Sequence, residues 1–283
     1  MKKPNIGAHV SASGGAFRAI ENGVALGVSA IQMYGASPKM WIAKEPDKEN
    51  IKKFERAREK SGISSVYLHA AYLVNLASPN NEIYEKSIKN LSDHLKITEL
   101  LGANGLVFHV GSGKDLTKKE ALEKEISAMK RVLKYVPGKS QLIMENSAGG
   151  GAKIGSDISD MKTLFEGVNS SRVKVCFDTA HALEAGLIEK YTEKSVKELF
   201  DKWDKEIGLK EIVALHINDS KTVFNSHHDR HENIGEGEIG IKGFRSLAED
   251  KRLWDKDWIL EVPGFEGKGP DKKNVEILKS LFK

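Results

Sequence analysis

Two periodicities alternate along this chain. Short apolar, β-rich runs fall at residues 5–10, 30–34, 65–69, 105–109, 141–145, 173–178, 212–217 and 258–262. Each is nearly continuous rather than alternating, the pattern of a strand covered on both faces. Amphipathic stretches with helical spacing lie between them. In residues 81–101, Ile83, Ser87, Leu91, Leu95 and Ile97 recur at that spacing. Ahead of residues 118–135, Thr117 and Glu120 form a capping-box pair that would satisfy free N–H groups at a helix start. A third helical stretch is 275–282.

Eight strand-then-helix units predict a parallel sheet under helices, and closure serves eight units more economically than an open sheet. The fold class expected is α/β, a single (β/α)8 TIM barrel with its site at the C-terminal face of the strands. A barrel needs about 250 residues, so the 283 residues are read as one domain, 1–283. No linker, low-complexity tract or composition shift marks a second domain. The longest irregular stretch, 218–240, is rich in His, Asp and Gly. Loops of that length inside compact domains are usually functional or disordered, and this one carries too many potential ligands for a linker.

Composition narrows the class only modestly. With 44 basic and 40 acidic side chains the formal charge is +4, which does not by itself point to nucleic acid. Carboxylates consumed as metal ligands would leave the remaining surface more positive than that count. Cys176 is the only cysteine, so an internal disulfide is excluded and a reducing compartment is expected. The start, MKKPNIGAHV, lacks the apolar segment of a signal peptide, and no apolar run approaches the ~20 residues of a membrane span. A cytoplasmic protein without a membrane partner is expected.

The chemistry lies in where His, Asp and Glu fall. The third to seventh strands end at or reach His69, His109, Glu145, Asp178 and His216, and the eighth contains Glu261. His181 follows the sixth strand by one turn, and Asp229 and His231 sit in the loop after the seventh. Strand C-termini converge on one face of a TIM barrel, so six strands aim such a side chain at one pocket. A lone His there is more often structural, and a lone Asp or Glu more often caps the next helix. With only 9 histidines in the chain, three at strand ends break that pattern. Imidazole with carboxylate and no thiolate suits Zn²⁺, Mn²⁺ or Fe²⁺. Nine donors exceed one ion's capacity, whereas two or three ions with a bridging carboxylate account for them. Such clusters hydrolyse phosphate esters. The residues alone therefore indicate a multinuclear metallohydrolase acting on a phosphodiester.

The segments holding these residues resemble the endonuclease IV family of apurinic/apyrimidinic endonucleases over nearly the whole chain. They are GAHVSASGG (7–15), HAAYLVNLASPN (69–80), HVGS (109–112), ENSAGGG (145–151), VCFDTAHALEAG (175–186), LHINDSKTVFNSHHDRHENIGEGEIG (215–240) and LEVPG (260–264). The resemblance implies three zinc ions, with Mn²⁺ admissible at some positions. One would be held by His69, His109 and Glu145; a second by Glu145, Asp178, His216 and Glu261; a third by His181, Asp229 and His231. Glu145, Glu261 and His109 are taken as catalytic. The implied substrate is duplex DNA with abasic sites, cut 5′ to the lesion to leave a 3′-hydroxyl and a 5′-deoxyribose phosphate, by a monomer. Tyr72 and Leu73 match an aromatic and an aliphatic residue that wedge into the duplex.

The chain departs from the family pattern in places. Ser37 and Lys39 stand where Asn and an inserting Arg are usual, and Lys cannot fork or stack as Arg does. Ala71 replaces Pro, Ala180 Cys, Leu187 Tyr and Asn225 Gly. His9 faces the same pocket and is read, with Lys39, as a DNA contact. His227 and His228 are placed in the loop near phosphate or solvent, His94 on a solvent-facing helix surface, and Cys176 in inert core. Gly149–Gly151 read as a close approach to DNA or a flexible turn. The rival reading is a xylose isomerase-like sugar isomerase with one divalent ion on Glu145, Asp178, His216 and Glu261. That reading leaves His69, His109, Asp229 and His231 without a purpose.

Overall fold

The structure is a computed structural model describing residues 3–282. Its elements run β1 (Asn5–His9), α1 (Ala16–Leu26), β2 (Ala30–Tyr34), α2 (Lys48–Glu59), β3 (Ser65–His69), α3 (Asn81–Leu100), β4 (Gly105–His109), α4 (Lys118–Tyr135) and β5 (Gln141–Glu145). They continue with α5 (Ile158–Val168), β6 (Val173–Asp178), α6 (Thr179–Glu184), α7 (Glu193–Glu206), β7 (Ile212–His216), β8 (Asp219–Ser220), β9 (His231–Glu232), α8 (Gly240–Glu249), β10 (Asp257–Leu260) and α9 (Lys272–Ser280). The eight long strands close a parallel barrel in the order β1-β10-β7-β6-β5-β4-β3-β2, as expected for a TIM barrel.

The alternation of side chains along a strand positions the site. Tyr67, Val107, Ile143, Cys176, Ala214 and Ile259 form a buried cluster of their own, separate from the larger core that includes the helix–sheet layer. Two residues further along each strand direction come His69, His109, Glu145, Asp178, His216 and Glu261. Same-face spacing therefore puts all six above one apolar layer. A bulge between β6 and β7 shifts the register so that Cys176 pairs Ala214 and Asp178 pairs His216. Bulges of this kind re-aim side chains beside functional sites. Glu261 lies one residue past β10, which ends at Leu260 rather than at the expected 262.

The helices follow the sequence closely. The Thr117–Glu120 capping box forms at α4. The last helix starts earlier than expected, at Lys272, because the Asp271 side chain accepts from the Asn274 N–H and caps it. The expected solvent-facing position of His94 is corrected: it is fully buried. The loop after β2 lies over that face of α3, with Asn90 Nδ2 donating to the Trp41 carbonyl at 2.8 Å. His94 Nδ1 can then bond only locally, to the Asn90 carbonyl at 2.9 Å.

Both ends of the stretch 218–240 are gathered on one carboxylate, that of Asp219. Asp219 accepts from the backbone N–H groups of Ser220, Gly235, Gly237, Ile239 and Gly240. The short antiparallel pair β8–β9 sets Ser220 against His231 and closes the arm over the barrel mouth. Asn225 takes the left-handed conformation, at φ 59°, which Asn tolerates.

One buried acid stands apart from the site. Both carboxylate oxygens of Glu125, on α4, lack a partner, and burial pushes its pKa up to about 8. The folded state therefore holds a proton that the unfolded chain releases near pH 4.5, so stability falls as pH rises from there and the loss levels off above about 8. Glu125→Gln should flatten the decline in melting temperature between pH 5 and 8; an unchanged slope would show that Glu125 is ionised in the folded chain.

Candidate metal centre

The structure brings all nine expected donors to the C-terminal mouth of the barrel. Their ligand atoms fall into interlocking groups, in each of which all lie within 4.8 Å of one another: His69, His109 and Glu145; Glu145, Asp178, His216 and Glu261; Asp178, His181 and His231. Glu145 belongs to the first two groups, and Asp178 links the second to the third. A further group joins His181 and Asp229 to Glu184, which the sequence reading passed over.

Glu145 is the hub. Its Oε2 lies 3.2 Å from His69 Nε2 and 3.5 Å from His109 Nε2. Its Oε1 lies 3.0 Å from His216 Nδ1. Beyond it, His216 Nδ1 is 3.2 Å from Glu261 Oε2, and His231 Nε2 is 3.6 Å from both Asp178 Oδ2 and Asp229 Oδ1. His181 Nε2 is 3.3 Å from Asp229 Oδ2. Burial opposes ionisation of Glu145, but the imidazoles of His109 and His216 beside it hold its carboxyl well below the usual range. For His181, burial opposes charging, while Asp178 and Asp229 raise its pKa well above the ordinary imidazole value.

Hydrogen bonds outside this ring decide which imidazole nitrogen faces inward. His69 Nδ1–H donates to the Ala70 carbonyl at 2.9 Å and His181 Nδ1–H to the Asn146 carbonyl at 2.8 Å. His216 Nε2–H donates to Gln32 Oε1 at 2.9 Å. Each bond fixes the ring so that its other nitrogen faces the carboxylates, where a proton or a cation can sit between them. His181 Nε2 and His231 Nε2 are buried and have no hydrogen-bond partner. The donor set of five imidazoles and four carboxylates fits divalent cations of the zinc or manganese type.

Sequence reasoning missed the amides that organise these ligands. Gln32 is fully buried in β2, where it holds His216 through Oε1 and donates from Nε2 to Glu261. Asn218 donates to Asp178 Oδ2 at 2.6 Å and accepts the Glu261 N–H at 2.8 Å. Asn146 accepts the Asp178 N–H and donates to its carbonyl. A polar residue inside the apolar run AIQMY was the available sign for Gln32.

The centre opens into a cleft of about 1100 Å³ lined by His69, His109, Asp229, His231 and Glu261, with Tyr34 and Tyr72 also in its wall. Tyr72 is 65% exposed and its hydroxyl pairs with that of Tyr34. Tyr34 in turn packs on His9 and edge-on to His69, at centroid distances of 4.4 and 5.8 Å. Leu73, half-buried, and exposed Lys39 lie outside the lining, whereas Ser37 and Lys44 belong to it. His9 lines the cleft and sits 3.3 Å from Glu261 Oε1. Gly149 and Gly150, at φ 80° and 89°, pack against His227, and an added Cβ at Gly149 would lie 2.8 Å from its ring. Gly149 and Gly150 thus make room for His227, whereas Gly151 has open space around it.

A closed parallel barrel with such a mouth is a xylose isomerase-like TIM barrel, and the profile of that family matches residues 20–281. A probable endonuclease 4 of Halothermothrix orenii is 36% identical over 97% of this chain and 99% of its own length. One of Persephonella marina is 36% identical over 98% and 97%. The crystal structure of endonuclease IV from Thermus thermophilus superposes with a TM-score of 0.86 at 31% identity, covering 98% of both chains. This chain belongs to the endonuclease IV family. A D-tagatose 3-epimerase-like protein, at TM-score 0.75 and 20% identity, shares the fold alone.

Gln32 should act through His216 and Glu261. Gln32→Leu is expected to weaken cation retention about 10- to 100-fold, read by chelator competition; wild-type retention would leave Gln32 a packing residue only.

Proposed function

We propose that this chain is an apurinic/apyrimidinic endonuclease that hydrolyses the phosphodiester 5′ to abasic sites in duplex DNA, leaving a 3′-hydroxyl and a 5′-deoxyribose phosphate. The observation that carries this reading is the set of interlocking donor groups, joined through Glu145 and Asp178, at the floor of an open cleft. Three divalent cations, zinc foremost and manganese admissible, would be held by His69, His109 and Glu145; by Glu145, Asp178, His216 and Glu261; and by His181, Asp229 and His231. When bound, they supply Lewis acidity and make water a usable nucleophile near neutral pH. We read the chain as one domain, acting as a monomer in the cytoplasm; no described helix is long and apolar enough to cross a membrane.

The chain's own residues divide the work. Glu145 joins two donor groups, while Glu261 and His109 line the cleft; these three are assigned catalysis. Partly exposed His109 and Asp229 face arriving substrate. Tyr72 suits insertion into a duplex where a base is missing, with Leu73 beside it. Unstacking costs a few kcal/mol and least at a damaged position, which favours the lesion. His9 holds Glu261 as well as facing the cleft, and Lys39 is left to contact phosphate from outside it. A sugar isomerase needs only the Glu145, Asp178, His216 and Glu261 group and gives no use to the others.

The test is nicking of a duplex carrying one tetrahydrofuran abasic analogue without added Mg²⁺, with metal analysis of the same sample. One cut 5′ to the analogue with three ions per chain is expected; a folded, metal-loaded protein that leaves the duplex intact would overturn the reading. Glu145→Gln should abolish cutting, and near-normal activity would remove its assignment. Tyr72→Ala should cost about 1–3 kcal/mol in binding abasic duplex and less on intact duplex; equal losses would make Tyr72 structural.

A further inference from the structure

Glu184 is a buried carboxylate that the assignments above leave unused. It lies on α6 three residues after His181, so both project from one helix face. Its side chain is fully buried. One oxygen, Oε1, is engaged: it accepts from Ser220 Oγ at 2.6 Å, the Arg230 N–H at 3.2 Å and Thr222 Oγ1 at 3.3 Å. The other, Oε2, is buried with no partner, and no described Lys or Arg pairs with this group. Ligand atoms of Glu184, His181 and Asp229 all lie within 4.8 Å of one another, and His181 Nε2 is likewise unpartnered. A buried carboxylate without a counter-charge is costly, and a cation beside it removes that cost.

We propose that Glu184 is a ligand of the outermost cation, its Oε2 adding to the donors of His181, Asp229 and His231. The two oxygens then have separate tasks. Oε1 clamps the arm on either side of residues 223–229, fixing the chain next to Asp229, and Oε2 binds the ion. The arm is docked further on α6 by the Asn225 and His227 N–H groups, which donate to the carbonyls of Leu183 and Glu184. An outer cation held this way would be retained even though Asp229 is partly exposed.

The proposal rests on the reading of the mouth as a metal centre, and the experiment separates the two. Zinc content per chain is measured during stepwise chelator competition, for the wild type, for Glu184→Gln and for Ser220→Ala/Thr222→Val. In Glu184→Gln the amide oxygen still accepts the clamp bonds but the anionic ligand is gone. One ion of that variant should be released at least tenfold faster, with the remaining ions and the apoprotein melting temperature unchanged. In cobalt-substituted protein the same variant should lose the visible absorption of one site. The double variant keeps the carboxylate and should retain its outer ion. Wild-type retention in Glu184→Gln overturns the ligand assignment. Loss in the double variant alone makes Glu184 a positioning residue and overturns it too. A wild-type chain that binds no zinc sinks the metal-centre reading itself.

Discussion

Burying the carboxylate of Glu145 is the constraint on which the mouth of this barrel depends. It has no solvent exposure and is surrounded by the inward nitrogens of His69, His109 and His216. An isolated ion in that position would be untenable, so positive charge must sit beside it as protons on imidazole or as bound cations. A barrel is suited to supplying this, because neighbouring strands deliver side chains from all round the ring to one height. The apolar layer of Val107, Ile143 and Ile259 immediately below offers it no polar partner. Cations and protons compete for the same nitrogens, so metal affinity and pH are linked.

Charge alone does not give a defined geometry; the amides around it do. Gln32, Asn146 and Asn218 each bond to a ligand residue with both ends of the side-chain amide, and neutral amides do so without adding charge to a crowded site. Asp219 plays the corresponding part for the arm. Its bonds from five backbone N–H groups add to the short β8–β9 pairing in 218–240, the arm that carries Asp229 and His231.

Much of this was legible in the sequence because barrels translate spacing into geometry directly. A strand of about five residues ending in His or Glu puts that group at the mouth, and the third to sixth strands begin and end where their apolar runs do. Glu184 and Gln32 were not legible. Glu184 reads as an ordinary polar residue near a helix end, and only the folding back of Ser220 and Arg230 reveals it as buried. Gln32 becomes significant once β2 stands beside the site. His94 misled for the opposite reason: its place on α3 looked outward until the loop after β2 covered it. Local pattern reports which face a residue occupies but not what a long loop later lays upon it.

The same centre governs how DNA meets the protein. A chain of formal charge +4 concentrates Glu145, Asp178, Glu184, Asp229 and Glu261 at one mouth. Without cations those carboxylates are offset only by protons on the neighbouring imidazoles, and exposed Tyr72 stands in the wall of the same cleft. Divalent cations bound there would make the mouth more positive, adding to the field of the basic groups elsewhere. In the proposed function, phosphate attraction, which supplies the sequence-independent part of DNA binding, would depend on the loading of the same site that performs the cut. A partly loaded protein would lose affinity and turnover together. In the proposed function Tyr72, by contrast, would contribute through stacking and shape, which leave charge unchanged, so discrimination between damaged and intact duplex would rest on a different physical term from attraction to either.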